Sequence, residues 1–288
     1  MTQTSSQVRS ISDTALWVAC YRARETQRPD ALFRDPFAER LAGPRGLAIT
    51  NSLADGNKHD WAWTARTYLF DKFVTAAIDS GADLILNLAA GLCARPYRMA
   101  LPDNLTWIEV DLPETISYKE KILAGDQPQI HLERIALDLS QVESRRALFA
   151  AVNARGKNVA VMSEGLLIYF SDDEVISLAQ DLAAQPNFKI WLVDLASPGQ
   201  LRLMQRSSGR ELSQAGAPFK FGPPQGADFF APHGWQPIEV EGLLKTAARF
   251  HRPPAELLSL LPEPKPPFGN YPWSGVCALK KSLHSLVS

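Results

Sequence analysis

The chain has 288 residues, 45% of them hydrophobic and 21% charged, with 30 Lys plus Arg against 31 Asp plus Glu. This balance suits a globular unit with a large core, and it provides no whole-molecule field to draw the chain onto nucleic-acid phosphates. The cysteines Cys20, Cys93 and Cys277 form neither a CxxC pair nor a Cys/His metal spacing, which argues against a structural zinc centre and agrees with a reducing compartment. A polar start, and no apolar run near the roughly 20 residues of a membrane span, predict a cytoplasmic protein that does not enter a membrane.

Residues 1–11 read as a loose tail. Ser12-Asp13-Thr14 supplies oxygen-bearing side chains that cap a first helix, and Leu16, Ala19, Cys20 and Ala23 continue it at helical spacing. A second, short helix is expected after Arg34-Asp35-Pro36. A longer one is expected from about His59 to Ser80, where Trp63, Phe70, Phe73, Val74 and Ala77 share a face. From Leu84 the pattern changes to short apolar runs separated by helix-like segments, the signature of βα repeats around a parallel sheet. The runs are Leu84–Leu88, Thr106–Val110, Arg134–Leu137, Val159–Ser163 and Ile190–Asp194, with Pro237–Val240 and Gly275–Leu279 closing the sheet after a loop from Ser197 to about Phe230. Pro253–Pro267, with six prolines around a helix candidate at Ala255–Leu261, reads as a stiff surface connection. One domain is therefore expected over 1–288: a helical cover (1–80), a sheet core (81–196), a lid loop (197–230) and C-terminal strands (231–288).

The chemistry concentrates where predicted strands end. After the first strand, Ala89-Ala90-Gly91 forms a small-residue turn that lets a backbone approach a ligand at the carboxyl edge of a doubly wound sheet. The second strand ends with Glu109 and Asp111 at its tip, the latter twenty residues after Gly91, where a carboxylate can accept both hydroxyls of a ribose or cap the next helix. Asp138 follows the third strand. Glu164 interrupts an apolar segment after the fourth, where an acid needs a partner, either a cationic ligand or an arginine of the N-terminal cover. Acids after three strands, with no GxGxxG loop to cradle a pyrophosphate, favour S-adenosylmethionine over a dinucleotide.

The segments TALWVACYRARETQRPDALFRDPFAERLAG, LILNLAAGLCARPYRMALP, WIEVDLPE, ALDLS and SEGLLIYFS resemble the leucine carboxyl methyltransferase family, in its bacterial branch similar to polyketide O-methyltransferases. The resemblance runs from about Ser12 to Gly199 and continues more loosely through FFAPHGW and the last strand. It implies a class I methyltransferase, Rossmann-like fold: a doubly wound seven-stranded sheet whose last strand is antiparallel, with S-adenosyl-L-methionine as methyl donor. Position by position, it implies Arg66 at the donor's carboxylate, Gly91 with Ala89 in the floor turn, Asp111 at the ribose, Asp138 and Leu139 at the adenine, and Glu164 at the methionine moiety. Arg22 and Arg95 also match arginines of the pattern. The chain departs from it at Cys93, where many members carry an acid, and at Ala89, where glycine is common. The alanine fits the turn if its φ is negative.

Methyl transfer from a sulfonium is an in-line displacement that positioning alone can accelerate strongly, so a catalytic base is optional. Tyr169 and His233 are the acceptor-side candidates, each with a structural alternative as core wall and loop residue. Trp61 and Trp63 are candidates for an apolar acceptor pocket, although residues two apart on a helix diverge. The expected acceptor is a carboxylate or hydroxyl of a small molecule, or a protein carboxyl terminus. An NAD-linked oxidoreductase and a non-catalytic donor-binding protein are the competing readings.

Overall fold

A computed structural model describes residues 12–52, 60–207, 209, 213, 216–252, 260 and 262–282. The predicted helix at Ala255–Leu261 lies outside these residues except for Leu260, as does the expected tail at 1–11.

Three helices precede the sheet: α1 (Ser12–Thr26), α2 (Ala38–Ser52) and α3 (Asp60–Asp79). The second is not short, as its sequence suggested. It runs for 15 residues because Gly43, at φ 58° and ψ −176°, turns the chain before Pro44, and a helix resumes on the other side. That backbone conformation is open to glycine and closed to residues with a Cβ. α3 buries Phe70, Phe73, Val74 and Ala77, the face that its helical period predicts.

The strands are β1 (Leu84–Leu88), β2 (Thr106–Asp111), β3 (His131–Ala136), β4 (Val159–Ser163), β5 (Phe188–Ala196), β6 (Trp235–Gly242) and β7 (Ser274–Lys281). They form one sheet in the order β3-β2-β1-β4-β5-β7-β6. The first five run parallel, and β7 inserts antiparallel between β5 and β6. β3 begins three residues before the apolar run that announced it and stops one residue earlier. The intervening helices are α4 (Arg95–Arg98), α5 (Pro113–Ile122), α6 (Val142–Asn153), α7 (Asp172–Ala183), α8 (Pro198–Ser207) and α9 (Leu243–Arg249). The predicted loop from Ser197 to Phe230 thus contains α8 and the start of a 3-10 turn at Gly226–His233.

Strand side chains alternate between two cores, as the pleat requires. Leu84, Leu86 and Leu88 of β1 pack with Val159 and Val161 of β4 and with Phe149 and Leu178 of α6 and α7. Ile85, Ala160, Met162 and Leu192 face the opposite side, against Phe70 and Phe73 of α3 and Ala247 of α9. A third cluster joins α1 and α2 to the sheet's carboxyl edge through Trp17, Tyr21, Leu41, Leu92 and Phe219. Among the described residues, no helix is long and apolar enough to cross a membrane.

Candidate functional site

β1 lies between β2 and β4, so the direction of the strand order reverses there, the place where doubly wound sheets bind ligands. A cavity of about 840 Å³ opens at the carboxyl ends of these strands, roofed by α1 and α3. It lies at the upper end of the usual range for ligand pockets, about 300–1,000 Å³. Arg22, Arg66, Ala89, Gly91, Arg95, Asp111, Asp138, Leu139, Glu164 and Tyr169 all border it. The sheet thus brings these sequence candidates together, and His233 is not among them.

The small turn after β1 is held from the second strand. Asp111 accepts hydrogen bonds from the Gly91 amide at 2.6 Å and from the Leu112 amide at 2.7 Å. One carboxylate therefore pins the floor turn and the start of α5 while bordering the cavity. Burial raises its pKa, against the lowering effect of those amides. Glu109 does not share the tip. It is fully buried within β2, 2.7 Å from Lys119 and 3.0 Å from Arg134, because it sits two residues before the strand's end, under α5.

The turn holds two residues in the left-handed region, Ala89 at φ 51° and Gly91 at φ 50°. The condition set for an alanine here, a negative φ, is therefore not met, and the turn forms all the same. The chain must reverse between β1 and α4 within a few residues, and Ala89 adopts a conformation that costs a residue with a Cβ about 1–2 kcal/mol. Asn87, given no role from the sequence, borders the cavity at 1% exposure, and its amide nitrogen has no hydrogen-bond partner.

The side of the cavity beneath α3 is built from charge. Register pairing of Ser163 with Val193 brings Glu164 level with Asp194 on the neighbouring strand. Arg66 descends from α3 between them, its Nε 3.2 Å from Glu164 and its Nη1 3.3 Å from Asp194. The Arg66 guanidinium also lies 4.6 Å from the centre of the Trp63 ring. The second Glu164 oxygen accepts from Arg95 at 2.8 Å. Arg95 and Arg98 both reach Asp71 of α3, at 2.6 and 2.7 Å, and Arg22 of α1 reaches Asp35 at 2.8 Å and the Leu92 carbonyl. Arg66 is thus the arginine of the N-terminal cover weighed as a partner for Glu164, and Arg95 of α4 adds a second. Burial would raise the Glu164 carboxyl, but Arg95 and Arg66 outweigh it and hold it at about 2. Asp194 goes the other way, raised by burial that Arg66 and the Gly165 amide offset only in part.

Asp194 is a second cavity residue, after Asn87, to which sequence reasoning gave no role. The signal was present, since it stands near the end of a predicted strand as Asp111 does. Cys93, where the family pattern has an acid, places its sulfur 3.3 Å from Arg95.

Of the residues expected to serve an acceptor, Trp61 and Trp63 both border the cavity while anchoring in different cores, the divergence that their spacing implies. Tyr169 faces the cavity from a 3-10 turn, packs on Phe219 at 5.6 Å and hydrogen-bonds Thr14 of α1; burial raises its pKa. His233 is excluded by topology. β6 runs parallel to β5, so the residues just before Trp235 lie at the sheet's amino edge, opposite the site, where His233 packs on Phe229. Among the described residues, no group of His, Cys, Asp and Glu is arranged to hold a metal.

Comparison with known proteins agrees with this architecture. A Mycobacteroides abscessus protein, provisionally named an S-adenosyl-L-methionine-dependent methyltransferase, is 34% identical over 60% of this chain and 61% of its own length. A relative with the same provisional name from Mycobacterium sp. strain KMS is 31% identical over 73% of this chain and 76% of its own. A crystal structure from Thermobifida fusca, provisionally titled a methyltransferase, superposes with a TM-score of 0.58 at 14% identity, covering 96% of each chain. The fold is therefore the class I methyltransferase fold. The leucine carboxyl methyltransferase family model matches residues 15–183, and this chain belongs to that family.

Proposed function

We propose that this chain is an S-adenosylmethionine-dependent methyltransferase that methylates a carboxylate or hydroxyl oxygen of a small molecule. The observation that carries the reading is the row of acids along the carboxyl edge of the sheet, Asp138 after β3, Asp111 on β2, Glu164 after β4 and Asp194 on β5, around one cavity. Such a row suits a donor with ribose hydroxyls, an ammonium and a sulfonium. A pyrophosphate would want amide-lined glycines and free cations, whereas the turn here is Ala89-Ala90-Gly91 and Arg22, Arg66, Arg95 and Arg98 each pair with an acid. The partnerless Asn87 amide points to a polar ligand at this place.

In this reading Arg66 holds the donor's carboxylate, Asp111 the ribose, Asp138 and Leu139 the adenine, and Glu164 the methionine moiety, with Ala89 and Gly91 as floor. Arg22 and Arg95 support the site through Asp35 and through Asp71 and Glu164. When bound, the donor supplies an electrophilic methyl group on sulfur. The chain's own part is to desolvate and align the acceptor: Trp61, Trp63, Tyr169 and Phe219 wall the cavity with rings beneath α1 and α3. A carboxylate acceptor is already ionised and needs no base.

Incubation with methyl-labelled S-adenosylmethionine and a panel of small aromatic and aliphatic acids, phenols, alcohols, amines and thiols tests the acceptor class. Label in a product released by mild base marks an ester and a carboxylate acceptor; base-stable label marks an ether. Label carried only by amine or thiol compounds would contradict oxygen methylation.

A further inference from the structure

Resting on the methyltransferase reading, we infer that the acceptor is an elongated, mainly apolar small molecule. Its oxygen meets the methyl group over β1, and its body runs past β5 to a mouth between α8 and Tyr271. The cavity is longer than the donor placements above require. It is bordered from Leu139 and Ser140, after β3, to Gly242 and Leu243, at the end of β6, and these are the two edge strands of the sheet. Neighbouring strands lie about 4.8 Å apart, so this edge is roughly 29 Å long, and β3, β2, β1 and β4, which carry the donor residues, take about 14 Å of it.

The donor's own bonding sets the direction. Its sulfur is bonded between the ribose and the amino-acid end, which puts the methyl group between Asp111 on β2 and Glu164 after β4, over β1. Adenosine then fills the β2 and β3 side. An acceptor that reaches the methyl group in line has room for its body on the β5 side, where the cavity continues about as far again.

The walls along that course are apolar. Tyr169 packs on Phe219 at 5.6 Å, and Met204 of α8 joins them in one cluster. Beyond Asp194, Lys245 and Glu263 are the charged residues that border the cavity among those described, and a Glu263 oxygen accepts from the Trp273 indole at 3.1 Å. At the mouth, Leu203 of α8 is 46% exposed and Tyr271 is 43% exposed, and both border the cavity. Ser197 brings them together, since its hydroxyl donates to the Tyr271 carbonyl at 2.6 Å one residue before α8 begins. Large apolar side chains left to water on the rim of a deep pocket mark a surface that a ligand covers. A short acceptor would stop at the rings and leave both uncovered; a long apolar one buries them.

The test is calorimetric titration of straight-chain carboxylates, from hexanoate to dodecanoate, into the chain saturated with S-adenosylhomocysteine, which leaves the place of the methyl group open. It is repeated on Leu203→Asp and Tyr271→Asp, with thermal unfolding of each as a fold control. The expected result is an affinity that rises by about three- to fourfold with each methylene added. Dodecanoate should lose about tenfold or more in either variant, while hexanoate changes by less than about threefold. An affinity independent of chain length overturns the proposal on the unmodified chain alone, as does no binding of any carboxylate to a chain that holds S-adenosylhomocysteine. The same chain-length dependence in both variants would show that the rim takes no part, and also overturns it. Failure of the unmodified chain to bind S-adenosylhomocysteine would instead remove the methyltransferase reading itself.

Discussion

Ala89 is where side chain and backbone are in conflict. Its φ of 51° belongs to the region that glycine occupies freely, yet its methyl packs against the core beside β1. Relief of the left-handed strain, about 1–2 kcal/mol, exceeds the extra chain entropy that glycine loses on folding, about 0.5–1 kcal/mol. Ala89→Gly is therefore expected to raise the melting temperature by about one to two degrees, at about 2–4 °C per kcal/mol for a domain of this size class. A fall in differential scanning calorimetry would show that the methyl's packing outweighs the strain. At this scale Asp111, Asp138 and Glu164 were legible because an acid at the end of an apolar run is conspicuous. Asn87 was not: a buried amide inside a strand looks like any polar residue in a core until the structure shows that its nitrogen lacks a partner. His233 misled because a histidine in an aromatic loop carries no mark of which sheet edge it occupies.

Between elements, the arginine and acid pairs tie the helical cover to the sheet. Arg66 and Asp71 on α3 meet Glu164, Asp194, Arg95 and Arg98 from β4, β5 and α4, and Arg22 on α1 meets Asp35. Most of these side chains are nearly inaccessible, so removing one partner leaves a buried charge. Glu164 gives this a pH signature. Its folded pKa of about 2 lies below the ordinary 4.5, so its contribution, roughly 3 kcal/mol at about 1.4 kcal/mol per unit, is complete above pH 4.5 and is lost as pH falls toward 2. Asp111 and Asp194 oppose it, since carboxyls raised by burial become less costly as acid protonates them. Urea unfolding should show Glu164→Gln less stable than the unmodified chain at pH 7, with the gap closing between pH 4.5 and 2. A gap independent of pH would contradict the assignment. The strands divide by the same logic of burial. β1 and β4 are buried along their whole length and match their apolar runs to the residue, whereas β3 and β6, at the sheet's edges, carry polar residues that blurred their limits.

For the molecule as a whole, the class of fold was readable because a parallel sheet covered on both faces needs continuous apolar strands. The order of those strands was not, since pairing is a long-range choice; the placement of β7 between β5 and β6 sets the geometry that removes His233 from the site. The ion-pair chain was equally hidden, because its members are spread from Arg22 to Asp194 and meet only after folding. The central claim is that this cavity binds S-adenosylmethionine. Calorimetric titration with S-adenosylmethionine and S-adenosylhomocysteine on the unmodified chain, Asp111→Ala and Arg66→Ala tests it most directly. The account predicts micromolar binding that each substitution weakens by tenfold or more, about 1.4 kcal/mol. No heat and no thermal stabilisation with either ligand would contradict it.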